Sequence, residues 1–318
     1  MKHNKKITVI ILLMFLVAQF IGLYVVNTYA VEKVVNGEIV NNTGKTLPYG
    51  MGFEMEETEN LDPYSILISF LFSFVIAVSL IFLLIKIRSK FIIKIWFFAV
   101  VAIALGISFT ALLPEIRYAS IIGLLVALPL SFYKIYKRDI IVHNLTELLI
   151  YPGIASIFAP ILGIITIIVL LIIISIYDMW AVWKSKIMQK MAKYQMETLN
   201  IFGGFLIPYA SKKVKEQLRK MKDKYKSKKI LESKLKKAKI KINLAILGGG
   251  DVIFPIITSG VVLKTWGLVP AIVTIAGAFL GLMGLLMFSE KKKFYPAMPF
   301  ITAGIFLGLI VSYLFFVR

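Results

Sequence analysis

The stretch Leu247-Gly248-Gly249-Gly250-Asp251-Val252-Ile253-Phe254-Pro255 places one aspartate behind three glycines inside an otherwise apolar run. An ionisable side chain is costly in hydrocarbon, so an acid at this depth belongs against protein or in a wet cavity and is read as functional. Its expected partner is Asp178, in Ile176-Tyr177-Asp178-Met179-Trp180-Ala181-Val182 near the end of the preceding apolar run. A long basic loop separates the two. Two aspartates entering one membrane cavity from consecutive helices suggest an acid/base pair.

The composition agrees with a membrane setting. Hydrophobic residues make up 59% of the 318-residue chain, too many for an ordinary soluble globule. The net charge of +20 raises the question of nucleic acid. The lysines, however, lie between apolar spans, where the positive-inside rule reads them as cytoplasmic anchors, and the basic loop lacks aromatic interleaving on a nucleic-acid-binding fold. No nucleic-acid partner is expected. With no cysteine there is no disulfide framework, thiolate nucleophile or thiolate metal site. The two histidines, His3 and His143, cannot form an H-E-x-x-H zinc motif. Neither a metal nor a cofactor is expected.

The fold class is all-α, a polytopic membrane protein with about nine transmembrane helices. A first span over Ile7–Val26 follows the basic Met1–Lys6 and is long enough to be a retained helix rather than a signal peptide. Residues 27–63 are polar and acidic, with Glu54, Glu56, Glu57, Glu59 and Asp62, which suits the outer side; Asn41-Asn42-Thr43 is a glycosylation sequon there. Spans over Tyr64–Ile85, Phe91–Leu113 and Tyr118–Phe132 follow. The turns between them alternate: Lys86, Arg88, Lys90 and Lys94 inside, Glu115 and Arg117 outside, Lys134, Lys137 and Arg138 inside.

The run from Ile140 to Val182 is too long for one crossing, and Pro160 marks the outer turn between a fifth span and a sixth. The fifth begins with His143-Asn144-Leu145-Thr146-Glu147, where Glu147 is either a polar anchor near the interface or a support for the aspartates. The last spans are Asn243–Leu263, Leu268–Phe288 and Ala297–Val317, the final two separated by Glu290-Lys291-Lys292-Lys293. Gly277-x-x-x-Gly281 and Gly304-x-x-x-Gly308 have the spacing that permits close helix packing.

The chain thus divides into an N-terminal membrane region (1–183), a basic loop (184–242) and a C-terminal membrane region (243–318). The N-terminus and the loop are expected in the cytoplasm and the C-terminus outside the cell membrane. Within the loop, Trp183–Gln195 is compatible with a surface helix, and the apolar Ile201–Pro208, too short to span, reads as interfacial or extended. Ser211–Lys241 reads as a solvated basic arm drawn to anionic headgroups of the bilayer.

Depth permits the aspartates to meet. Asp178 lies about six residues in from the basic boundary at Lys184, roughly 9 Å at helical rise, and Asp251 about ten residues in from Lys241, roughly 15 Å. The two helices run in opposite directions. Like charges that close in a poorly solvated site share a proton and titrate as a unit. One aspartate then takes a proton from water while the other polarises an amide carbonyl. The glycines weaken the helix start and let another backbone approach Asp251. An extended substrate is needed, because helical peptide bonds are shielded.

Tyr177-Asp178 in one span, Gly248-Gly249-Gly250-Asp251 in the next and Pro296-Ala297-Met298-Pro299 at the start of the last resemble the Y-D, G-x-G-D and P-A-L motifs of the presenilin and signal peptide peptidase family of intramembrane aspartyl proteases, its microbial homologues included. Order, spacing and membrane side match from about His143 onward. The resemblance implies that Asp178 and Asp251 are the catalytic dyad. Tyr177, Gly248, Gly249 and Gly250 would shape the site, and Pro296, Ala297, Met298 and Pro299 would sit beside it. Substrates would be membrane-spanning or signal peptides, admitted between the sixth and last spans, with no obligate protein subunit. Gly249 and Met298 stand where leucine is common in the family; the second change conserves volume.

The rival from another class is a transporter or channel that binds cations or relays protons on the same acids. Inverted repeats, its usual sign, are not evident between the halves. A lipid-surface scaffold built on the basic loop would leave the aspartates dispensable. A serine protease is disfavoured because Thr258-Ser259-Gly260 is the nearest string to G-x-S-G.

Overall fold

The structure is a computed structural model that describes residues 5–30, 32–35, 38–41, 45–51, 63–86, 90–137, 139–185, 195, 201–209, 243–289 and 295–317. Most of the basic loop, the acidic residues 54–62, Asn42 and Thr43 of the sequon, Arg88, Arg138 and Glu290–Lys293 lie outside the described residues.

Nine α-helices carry the described chain: α1 Lys5–Tyr29, α2 Pro63–Lys86, α3 Lys90–Leu112, α4 Ala119–Tyr136, α5 Ile140–Phe158, α6 Ile164–Met179, α7 Gly249–Trp266, α8 Leu268–Phe288 and α9 Met298–Ser312. Both α6 and α9 end in wider π-helical turns, Trp180–Ser185 and Tyr313–Val317. Seven of the described helices are long and apolar enough to cross a membrane. The break between α5 and α6 falls at a turn containing Pro160, as expected from the length of the apolar run.

Two short antiparallel hairpins interrupt the helical pattern. One pairs β1 Glu32–Val35 with β2 Glu38–Asn41, and the other pairs β3 Gly204–Tyr209 with β4 Asn243–Gly248. The second corrects the expected start of the seventh span. Asn243–Gly248 is strand, and helix begins only at Gly249. Burial alternates along β4, with Leu244 and Ile246 exposed and Ala245 and Leu247 buried, the period-two pattern of a half-covered strand. Ile201–Pro208 is extended from Gly204 onward, one of the two readings its sequence left open.

Helix α1 is a core element. Phe15 and Ala18 are fully buried, and the helix packs against α5, α7 and α8. Its only amide side chain in the apolar span, Gln19, is also fully buried and donates through Nε2 to the Val252 carbonyl of α7 at 3.1 Å. Helices α8 and α9 pack most closely of all. A Cβ on Gly277 would collide with the Gly304 carbonyl, and one on Gly281 with the Phe300 carbonyl. The two glycine pairs found by spacing therefore face each other across one seam, where backbones touch because no side chain intervenes.

Candidate active site

Three helix ends converge on the aspartates: the C-terminal end of α6 and the N-terminal ends of α7 and α9. Asp178 is buried on α6, and its Oδ2 accepts the Met298 backbone N–H at 3.1 Å. This contact explains the Pro296–Pro299 segment. The first N–H groups of a helix lack intrahelical partners. Ala297 provides no side-chain cap, and Pro299, near the helix start, has no N–H to satisfy. The free Met298 N–H is met by a carboxylate from another helix, which also suits the positive end of the helix dipole. One turn deeper, Ser175 Oγ donates to Thr302 Oγ1 at 2.9 Å and ties α6 to α9 again.

Asp251 is the third residue of α7, after Gly248 at the cap. A Cβ built on Gly248 would lie 3.1 Å from Asp251 Oδ2, so the carboxylate folds back over the start of its own helix. This is the geometry of an acidic side chain near a helix N-terminus reaching toward the cap. Pro255, inside α7, has no N–H for the Asp251 carbonyl four residues earlier, so the first turn lacks one rung. Gln19 holds that turn from outside through Val252.

Gly249 packs against Tyr151 of α5: its Cβ, if present, would be 3.1 Å from both the hydroxyl oxygen and the ring edge. Tyr151 is itself buried and meets Phe205 of β3 edge-on, with centroids 5.6 Å apart. The residue often leucine in related motifs thus has no room for a side chain here unless Tyr151 moves. Gly250 faces open space but for the Phe254 ring at 3.9 Å.

The other expected site residues are spread around this centre. Pro296 and Met298 are buried, while Ala297 and Pro299 are half-buried. The Tyr177 side chain is half exposed and lies against Trp180, with centroids 6.2 Å apart, rather than turning inward with Asp178. Glu147 is buried and paired with Lys134 Nζ at 2.6 Å, with His143 Nε2 3.6 Å away. Lys134, one of the turn charges placed on the inner side, is buried with it. Sequence reasoning also missed Gln19, Tyr151, and the pair His143 and Asn144. A lone amide in the apolar run of α1 was the available signal for Gln19.

Among the described residues, no group of three or more His, Asp or Glu side chains is disposed to hold a metal ion. Ser259 Oγ is buried and donates to the Ile256 carbonyl of its own helix at 3.0 Å, so its proton is directed to the backbone and not to a base.

A bundle of membrane-length apolar helices with two acids on adjoining helices defines a polytopic membrane protein with an acidic centre. The family model for "Signal-peptide peptidase, presenilin aspartyl protease" matches residues 48–317, and the chain belongs to that family. It is therefore an aspartic endopeptidase that works within the membrane. Two solved structures of a presenilin family intramembrane aspartate protease share its fold. The form in space group C222 is 20% identical with a TM-score of 0.58, covering 96% of this chain and 98% of that one. The form in space group P2 is 19% identical with a TM-score of 0.56, covering 96% of each. A comparison with curated proteins finds no match.

Proposed function

We propose that Asp178 and Asp251 are the catalytic pair and that the protein hydrolyses peptide bonds in transmembrane or signal-peptide segments. In the starting state one carboxyl is protonated and the other is not. The carboxylate takes a proton from water as its oxygen bonds to the scissile carbonyl carbon. The protonated partner donates to the carbonyl oxygen as the C=O π bond opens. Collapse of the tetrahedral diol breaks the C–N bond while a proton passes to the departing nitrogen. The observation that carries this reading is the convergence of the Asp178 and Asp251 helices at the α9 start, with Asp178 bonded to Met298.

The adjoining β3–β4 hairpin supports an extended substrate. On β4, the N–H and C=O of Leu244 and Ile246 point away from β3 if the alternating antiparallel bonds are followed outward from Leu206, whose own backbone groups are taken by Asn144. That outer edge ends at the glycines before Asp251. An unwound peptide pairing there would present its backbone to the acids, and main-chain pairing of this kind accepts many sequences.

The chain is read as nine crossings, with the N-terminus and residues 184–242 in the cytoplasm and the C-terminus outside. The alternating charge of the turns supports this orientation. The division into membrane regions 1–183 and 243–318 around the basic loop follows from it. The lipid bilayer and membrane-spanning peptides are the expected partners, with no obligate subunit and no nucleic acid.

The test is cleavage of a membrane-spanning peptide by purified protein reconstituted in liposomes. Cleavage is expected in the wild type and lost in Asp178→Ala and in Asp251→Ala. Undiminished cleavage in both variants would overturn the assignment. Aspartate-dependent ion flux without proteolysis would support the transporter reading instead.

A further inference from the structure

The inner edge of the β3–β4 hairpin is occupied by two consecutive side chains of α5. Asn144 Oδ1 accepts the Leu206 N–H at 2.9 Å, and Asn144 Nδ2 donates to the Leu206 carbonyl at 2.8 Å. One amide thus meets both backbone groups of one residue, as a neighbouring strand would. Two residues earlier on the same edge, His143 Nε2 lies 2.8 Å from the Gly204 carbonyl. A carbonyl only accepts, so Nε2 carries the proton. Nδ1 is then the acceptor, and Lys134 Nζ stands 3.2 Å from it. Lys134 also donates to Glu147 Oε1 at 2.6 Å. The buried lysine is held by an acid, and together they fix the tautomer of the histidine that grips β3.

We propose that Asn144 and His143 are positioning residues that set which substrate bond is cut, by locking the register of the hairpin that leads into Asp251. The inference rests on the protease reading above. Locking follows from three features of β3. Slipping by one residue would turn the fully buried Phe205 outward. Slipping by two residues in one direction would bring Pro208 to Asn144, and proline has no N–H to offer Asn144 Oδ1. Slipping by two in the other direction would draw Gly204 under Asn144, a residue held at φ +149 against the Leu247 carbonyl. Strand β4 follows β3 through the pairs Gly204–Gly248 to Tyr209–Asn243, and Asp251 comes three residues after β4 ends. A two-residue slip of β4, taken up in the Gly248–Gly250 link while Gln19 and Tyr151 hold the start of α7, would carry a substrate paired with β4 about 7 Å along the strand direction and bring a bond two residues away to Asp251.

Cleavage position tests this, because a general loss of stability lowers the amount of active enzyme but leaves the ratio of products unchanged. Reconstituted full-length wild type, Asn144→Leu, Asn144→Asp and His143→Gln are incubated with one transmembrane peptide, and products are identified by mass spectrometry. In Asn144→Leu, the share of cleavage at bonds two residues from the main site is expected to rise about tenfold, the effect of losing one to two net hydrogen bonds. Asn144→Asp keeps the acceptor for the Leu206 N–H and should shift the ratio less. His143→Gln keeps a donor for Gly204 and should stay near wild type. If Asn144→Leu does not fold, the shift in Asn144→Asp carries the test. Active Asn144 variants that cut at wild-type positions in wild-type proportions would overturn the inference while leaving the protease reading intact. No cleavage by the wild type would overturn both.

Discussion

Met298 donates its backbone N–H to Asp178 Oδ2 across 3.1 Å, so the start of α9 and the end of α6 share one hydrogen bond at the proposed catalytic acid. The carboxylate has two roles that substitution can separate. Asp178→Asn keeps an oxygen for Met298 but has no titratable group. It is expected to be inactive yet well folded. Asp178→Ala leaves a buried N–H without an acceptor and should be less stable than Asp178→Asn by about 1–3 kcal/mol. Thermal unfolding of the two purified variants, with cleavage assayed in parallel, checks both halves. Equal stability of the two would show that the bond to Met298 contributes nothing.

The glycine seam predicts opposite effects for the same substitution in one helix. Gly277→Ala puts a methyl group into the Gly304 carbonyl and should force α8 from α9, at about 1–3 kcal/mol. Gly284, also on α8, has nothing within 4 Å of its Cβ position. Gly284→Ala should therefore be neutral or stabilising by up to about 1 kcal/mol, the helix-propensity gain. Unfolding of the two variants in the same detergent, ranked against wild type, decides the matter; a more stable Gly277→Ala would refute the seam.

Substitution at Gly249 tests the packing behind Asp251. Gly249→Leu should lower both stability and cleavage, since Tyr151 is wedged against Phe205 and has little freedom to retreat. Pairing it with Tyr151→Ala vacates that volume and should recover much of the loss. Overpacking of this kind costs about 1–3 kcal/mol. A Gly249→Leu variant as active and stable as wild type would show that the Tyr151 ring yields without cost.

The Lys134–Glu147 pair is buried on both sides. Removing one partner leaves an uncompensated charge, so Glu147→Leu and Lys134→Met should each destabilise by about 3–5 kcal/mol. The double variant should recover most of that loss, because a well-packed apolar pair often replaces a buried ion pair at little cost. A double-mutant cycle measures the coupling, and additive losses would mean that the two residues act independently.

The parts legible in the sequence were those written in run length and in misplaced charge. Asp178 and Asp251 stood out because carboxylates are rare in apolar runs, and the polytopic helical class followed from segments near twenty residues. The β3–β4 hairpin was hidden for a definite reason. Asn243–Gly248 is a short apolar run continuous with α7, and such a run reads equally as strand or helix. Its alternation becomes visible only once β3 covers one face. The pairing of Lys134 with Glu147, thirteen residues on, was not legible because it depends on how α4 and α5 turn toward each other. Tyr151 and Asn144 carried no sequence signal, since a tyrosine or an asparagine at the end of a membrane helix is commonplace.

The close seam between α8 and α9 gives the molecule a stiff wall on one side of its acids. Because Met298 is the first residue of that wall, prising α6 away from it would break the Met298–Asp178 and Ser175–Thr302 bonds together. Any doorway opened along this line would strip Asp178 of that support while it stood open, and on the proposed mechanism hydrolysis would wait until closing had rebuilt it.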